Sequence, residues 1–334
     1  MGERLLSVEH MSMEFYNEKK PVRAVRDVSF HVDEGEILGV VGESGCGKSV
    51  TSMCIMRLIP EKAGHVTEGK VIFQGKNILE ADRKAFSKVV GKEISMIFQE
   101  PLSSLNPLLT CGYQIAENLI LHDKIKKKEA MKKAVELLGT VGIPFPEKRA
   151  KEYPHQLSGG MRQRVMIAMA IACSPKLLIA DEPTTALDVT IQAQILEIIK
   201  KLREERGMSV MFITHDMGVI AEMADKVMVM YAGSIVEKAD VKSFFKNPRH
   251  PYTKKLLKAI PRIDKDIEKL FMIPGTVPDL AEEIPGCRFC QRCKERMEIC
   301  NEKEPPTVIT EDGHEVTCWL LADTKQDSSM GDSL

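Results

Sequence analysis

An apolar run, Ile37-Leu-Gly-Val-Val41, leads without a break into Gly42-Glu-Ser-Gly-Cys-Gly-Lys-Ser49, and a helical pattern follows. Continuous apolar runs of this length are the mark of a buried parallel strand. Strand, glycine loop and helix in that order are the context a phosphate-cradling loop requires, so the chain is committed early to an α/β core. The glycines let backbone N–H groups turn inward around a phosphate, and the helix N-terminus adds a favourable dipole. Lys48 is placed to neutralise β- and γ-phosphate oxygens, and Ser49 to offer its hydroxyl to Mg²⁺. The candidate nucleotide contacts of this loop are Gly42, Ser44, Gly45, Cys46, Gly47, Lys48, Ser49 and Val50.

Further strands are expected at Leu6-Ser-Val-Glu-His, Ala24-Val-Arg-Asp-Val-Ser-Phe-His-Val, Val71-Ile-Phe73 and Ile94-Ser-Met-Ile-Phe98. From about residue 102 to 169 the pattern turns helical, and residues 176–180, 210–214 and 226–231 return to apolar strands. Between the first two of those strands Ile191, Ile195, Ile198, Ile199 and Leu202 fall on one helical face. Strand–helix alternation on both sides of a helical stretch implies a parallel core carrying a helical subdomain. The strand Leu177-Leu-Ile-Ala180 ends in Asp181-Glu182. Its first carboxylate suits the second shell of Mg²⁺, and Glu182 suits orienting or deprotonating a water.

Bulk composition narrows the class. Basic and acidic residues number 47 and 48, a net charge of −1, so nothing electrostatic argues for nucleic acid or anionic lipid. The lysines at 124 and 126–128 read as a solvated helix start. No apolar stretch approaches the ~20 residues that span a bilayer, and Met1-Gly-Glu-Arg-Leu-Leu lacks a signal-peptide core. The chain therefore reads as soluble and intracellular, with any membrane role exerted through partners. Its nine cysteines are lopsided: Cys287, Cys290, Cys293, Cys300 and Cys318 crowd the tail, which in a reducing compartment points to a metal site.

Three more motifs complete the set: Gln99, Leu157-Ser-Gly-Gly-Met-Arg-Gln-Arg164, and Ile213-Thr-His-Asp216, with Pro183-Thr-Thr-Ala-Leu-Asp188 following the acidic pair. With them the chain resembles the ATP-binding subunits of ABC transporters, over residues from about 5 to 240. The resemblance implies an ABC-type core with an antiparallel β subdomain and an inserted helical subdomain. It also implies that Gln99 senses Mg²⁺ and the attacking water, that His215 contacts the γ-phosphate and supports Glu182, and that Asp188 communicates across a dimer. Ser158, Gly159 and Gly160 start a helix and form an anion site that, in the family, closes over ATP held by a second subunit. Phe15 and Tyr16 are the candidates for stacking on adenine, with Tyr16 favoured for its polar edge. Cys46 stands where the family often has serine; a small tolerated residue explains it better than a redox role.

The compact spacing from Gln99 to Ser158 leaves no room for the long coiled coil of chromosome-scaffold and repair ATPases, and the single glycine loop excludes a tandem type. A non-transport ATPase acting on nucleic acid or ribosomes is the alternative from another class. Asn247-Pro-Arg-His-Pro-Tyr-Thr-Lys-Lys-Leu-Leu-Lys-Ala-Ile-Pro261 and Pro101-Leu-Ser-Ser-Leu-Asn-Pro107 resemble dipeptide and oligopeptide permease ATPases, whose close relatives carry nickel chelates. That resemblance implies four partners: a second ATPase subunit, commonly a non-identical paralogue, two transmembrane permease subunits, and indirectly an extracytoplasmic peptide-binding protein. The place of work would be the cytoplasmic face of the membrane.

Cys287, Cys293, Cys300 and Cys318 match that subfamily's four-cysteine tail, where some members hold a [4Fe-4S] cluster. On spacing alone tetrahedral zinc fits equally well. Cys290 is a departure from the pattern, Arg288 and Arg292 are available to offset cluster charge, and His314 is expected to face solvent. Three segments are expected: the ATP-binding domain at 1–240, an appended loop-rich metal-binding extension at 241–322, and a disordered tail at 323–334.

Overall fold

A computed structural model describes residues 3–18, 20–185, 187–259 and 273–322, so the expected disordered tail at 323–334 lies outside the described residues. The strands are β1 (Arg4–Phe15), β2 (Val22–Asp33), β3 (Ile37–Val41), β4 (Gly64–Phe73), β5 (Lys76–Asn77), β6 (Ile94–Ile97), β7 (Leu177–Asp181), β8 (Ser209–Ile213), β9 (Lys226–Tyr231), β10 (Ser234–Asp240), β11 (Thr307–Ile309) and β12 (Glu315–Thr317). Contacts divide the chain into two compact units. One comprises Met1–Ser7, His31–Ile37 and Ile72–Ile213; the other comprises Val8–Phe30, Leu38–Val71 and Thr214–Leu334.

In the first unit β6, β7 and β8 run parallel, with Ile97 opposite Ala180 and Asp181 opposite Ile213. Every residue of these three strands is buried, which is why they read as unbroken apolar runs rather than as alternation. Three helices, Cys111–His122, Lys127–Thr140 and Gly159–Ile171, pack together as the helical subdomain. Alanines 116, 130, 134 and 168 are fully buried among them. The helix Val189–Arg206 buries Ile195, Leu196, Ile199 and Leu202, leaves Ile191 and Ile198 half-buried, and stops at Gly207 with φ 63°.

In the second unit β3 pairs in parallel with β9, Leu38 opposite Lys226 and Val41 opposite Val229. From β9 the sheet continues antiparallel through β10 and β12 to β11. Strands β2, β1 and β4 are neighbours in a separate sheet. The helix Lys48–Ile55 starts directly after the glycine loop.

The extension is less loop-like than its prolines suggest. It contributes the helix Pro251–Lys258 and two strands, with Glu237 of β10 paired to Val316 of β12. At three residues each, β11 and β12 are too short to display a period. His314, expected at the surface, is instead fully buried; its Nδ1 lies 2.9 Å from Oε1 of Glu237, which is fully buried too. The Glu237 carboxylate also accepts the N–H groups of Arg249 and His250, each at 2.9 Å. A buried carboxylate persists only when its oxygens are filled in this way.

Candidate nucleotide site

In the second unit the loop after β3 is held in a conformation few residues other than glycine tolerate. Gly42 has φ 153°, and a Cβ there would meet the Met230 carbonyl oxygen at 2.3 Å. Gly45 and Gly47 are also at positive φ, 77° and 103°. Lys48 is 5% exposed and folds over the loop, its Nζ donating to the carbonyls of Gly42 at 2.8 Å and Glu43 at 3.1 Å. A phosphate offers that ammonium stronger acceptors than two neutral carbonyls. Ser44 and Gly45 are exposed, Ser49 and Val50 half-buried, and Cys46 fully buried. Burial pushes the Cys46 thiol up, and the opposing pull of Lys48 is the smaller effect.

The first unit brings Gln99 and Glu182 together. Oε2 of Glu182 accepts Nε2 of Gln99 at 2.9 Å and the hydroxyl of Thr185 at 2.8 Å. Asp181 is buried at the end of β7, and the chain turns so sharply after it that Glu182 sits at φ 45°. Non-glycine residues held in the left-handed region cluster at functional sites. The Glu182 N–H closes this turn on the Ile213 carbonyl at 2.9 Å. His215 follows β8 in the second unit and is exposed.

Ser158 caps the helix Gly159–Ile171, accepting the Met161 N–H at 3.3 Å, and Asp188 caps Val189–Arg206 through Ile191 at 2.9 Å. Both caps border a cavity of about 520 Å³ lined also by Gly159, Gly160, Gly142 and Pro144. Two contributors escape the sequence reading. Gln163, buried, donates to the Pro183 carbonyl at 2.6 Å, tying the Ser158 helix to the turn after Glu182, and Thr185 holds Glu182 directly. Both lie inside quoted motifs, which is the only signal they leave. Of the two adenine candidates, Phe15 ends β1 half-buried, while Tyr16 is 56% exposed and stacks on His65 at 5.3 Å.

Residues 25–185 match the ABC transporter family, and residues 236–300 match the oligopeptide/dipeptide transporter C-terminal region. The oligopeptide transport ATP-binding protein OppD of Bacillus subtilis is 53% identical over 319 residues, covering 95% of this chain and 89% of OppD. The dipeptide transport ATP-binding protein DppD of the same organism is 50% identical over 318 residues, covering 95% of both chains. The chain belongs to the ATP-binding subunits of oligopeptide and dipeptide ABC transporters. Among solved structures, the dimeric bacterial ABC transporter cassette MJ0796 aligns with a TM-score of 0.64 at 30% identity, over 71% of this chain and 98% of that one. Its post-hydrolysis dimer bound to ADP and Pi gives the same TM-score at 29% identity. The fold is thus the ABC ATPase fold.

In this ABC subunit the tail cysteines share one neighbourhood. The Cys287 N–H bonds to the Cys300 carbonyl at 2.8 Å, and a Cβ on Gly286 would lie 2.2 Å from that same oxygen. Burial first, then the charges of Cys318, Cys300 and Cys290, push the Cys287 thiol up to about 12. Burial, then Cys293 and Cys300, take Cys318 to about 11. As thiolates these groups would repel one another, which adds to burial in keeping them protonated. Among the described residues no three His, Cys, Asp or Glu side chains are placed to hold a metal ion together. The Cys290 thiol donates to Oδ1 of Asn301 at 3.1 Å. Arg288 and Arg292, expected to offset cluster charge, are paired elsewhere, with Glu304 at 3.1 Å and Glu43 at 2.6 Å.

Proposed function

We propose that this chain is the ATP-hydrolysing motor subunit that energises import of dipeptides and oligopeptides through a membrane permease complex. The observation that carries the reading is the Glu182 carboxylate, strained in its turn and held by Gln99 and Thr185. A fixed carboxylate beside an amide that can turn to Mg²⁺ is what positioning a water for attack on phosphorus requires. In this account Gly42 to Val50 cradle the triphosphate, and Lys48 leaves its two carbonyls for β- and γ-oxygens. Ser49 and Gln99 hold Mg²⁺, Asp181 supports it from behind, and His215 contacts the γ-phosphate. Tyr16 takes the adenine, its free face supporting that choice over Phe15.

Ser158, Gly159 and Gly160 have an open cavity before them and serve the ATP of a second subunit, with Asp188 beside them. We assign residues 1–240 to the ATP-binding domain and 241–322 to the peptide-permease extension. No helix of the described residues is long and apolar enough to cross a membrane. Membrane attachment therefore falls to two permease subunits, on the cytoplasmic face. Leu108, 82% exposed, and Phe145, also exposed, are apolar contacts the helical subdomain can offer them. The second ATPase subunit is a non-identical paralogue, and cargo arrives from an extracytoplasmic binding protein. Both relatives named above are called peptide transport proteins, which favours peptide over nickel chelate.

We assign Cys287, Cys293, Cys300 and Cys318 to a [4Fe-4S] cluster and leave out Cys290, whose thiol is spent on Asn301. Bound there, the cluster would supply a covalent cross-link for a small module.

Glu182→Gln tests the ATPase assignment. The variant is expected to bind Mg-ATP as the parent does, to lose at least about a hundredfold in hydrolysis, and to accumulate as a closed dimer in size-exclusion chromatography with ATP. Hydrolysis at the parent rate would remove Glu182 from its role.

A further inference from the structure

The phosphate loop is held by residues from the other end of the chain. Arg292, in the turn between Cys290 and Cys293, has a side chain only 5% exposed. Its Nη1 donates to Glu43 Oε2 at 2.6 Å and its Nη2 to Glu43 Oε1 at 3.0 Å, a two-pronged pair. The remaining donors are filled by the Tyr231 hydroxyl at 3.3 Å and by the carbonyls of Pro274 and Ile273 at 3.1 and 3.2 Å. Glu43 is the residue immediately after Gly42, inside the loop. Its N–H goes to the Tyr252 hydroxyl at 2.9 Å and its carbonyl accepts Lys48 Nζ at 3.1 Å. Side chain, N–H and carbonyl of one loop residue are thus all fixed, and two of those three contacts come from the extension.

Two physical consequences follow. A loop with glycines at positive φ has many conformations to lose when it closes on phosphate, and pre-ordering it removes that cost from binding. The planar guanidinium fork fixes orientation as well as position, which a lysine point charge does not. The second consequence is electrostatic. Glu43 is the one carboxylate in Gly42-Glu-Ser-Gly-Cys-Gly-Lys-Ser49, and unpaired it would sit beside a triphosphate and repel it. Arg292 both orients and neutralises it.

We propose that Arg292 is a positioning residue for ATP: through Glu43 it sets the shape and charge of the phosphate loop, and so makes nucleotide affinity depend on the cysteine-bearing extension. This rests on the reading that Gly42 to Val50 hold the phosphates.

The test uses the full chain and titration calorimetry with the magnesium complex of a non-hydrolysable ATP analogue, alongside steady-state hydrolysis. Arg292→Met is expected to raise Kd and KM together by about tenfold, with kcat at saturation within about twofold of the parent. Arg292→Lys keeps the charge and loses the fork, and falls between. The decisive variant is the double change Glu43→Gln, Arg292→Met. Removing the carboxylate as well as its partner is expected to recover most of the lost affinity, whereas a purely structural latch would leave the double variant no better than the single. Unchanged Kd in Arg292→Met, no recovery in the double variant, or a fall in kcat with KM unmoved would each overturn the proposal. If Arg292→Met does not fold, Arg292→Lys carries the test, since it removes the two-pronged contact to Glu43, and a Kd equal to the parent's would likewise sink the idea. Lys48→Ala separates the two levels of failure. If it binds the analogue like the parent, the phosphate-loop reading is wrong; if it does not while Arg292→Met does, only the positioning role is lost.

Discussion

Cys46 shows how one residue's setting decides its chemistry. It precedes a helix N-terminus and has Lys48 Nζ 3.7 Å from its sulfur, and both features favour a thiolate. Burial opposes them and wins, so the thiol is pushed up and kept from solvent. Its job in the loop is to fill space, and a Cβ on Gly42 would lie 2.7 Å from its sulfur. In native protein treated with iodoacetamide, Cys46 is expected to label at least about tenfold more slowly than in urea-unfolded protein, because the reagent needs an accessible thiolate. Peptide mass spectrometry at intervals reads this directly, and rapid native labelling would restore a redox role to the loop.

At the level of elements, the helix Pro251–Lys258 begins with an unusual cap. His250 is fully buried, its Nδ1 accepts the Tyr252 N–H at 3.1 Å, and its own N–H is held by Glu237 at 2.9 Å. Burial, helped by Lys254, lowers its pKa from 6.5 to about 3, so the folded chain keeps the ring neutral. The sign of the pH effect follows. Between pH 6.5 and about 3 the unfolded chain takes up a proton that the folded chain refuses, so this residue's contribution to stability falls as pH falls. By pH 5 that loss is about 2 kcal/mol. His250→Asn keeps a capping acceptor and removes the titration. Urea unfolding at pH 7 and pH 5 should show a drop smaller by about that amount in the variant; equal drops would mean the ring is charged in the fold. Nothing in the sequence announced this cap. Strands β3, β7, β8 and β9 were legible because burial on both faces leaves a plain apolar run, and the phosphate loop because its chemistry demands fixed spacing. Glu237, His250 and His314 were not, because a buried polar cluster is assembled from separated segments, each ordinary by itself. Arg292 and Glu43 are the extreme case, 249 positions apart.

For the whole molecule the question is what keeps so small an extension folded. From Gly286 to Cys318 it forms two three-residue strands and a few helical turns, and its central aromatic, Phe289, packs on Tyr231 at 5.2 Å and Tyr252 at 5.3 Å. That is a modest core, and modules of this size rely on cross-links. Free thiols supply none; four thiolates on iron would. Protein purified without oxygen is therefore expected to be brown, with about four irons and matching sulfide. Serine at Cys287, Cys293, Cys300 or Cys318 should abolish the colour, whereas Cys290→Ser should keep it, since that thiol is already bonded to Asn301. Losing the cluster should also loosen Arg292 and with it the loop at Glu43, so iron content and nucleotide affinity should fall together in the four serine variants. Zinc without sulfide would replace the cluster by a single ion. Neither metal, with affinity intact, would leave the docked aromatics and the Glu237 cluster as what holds the extension in place.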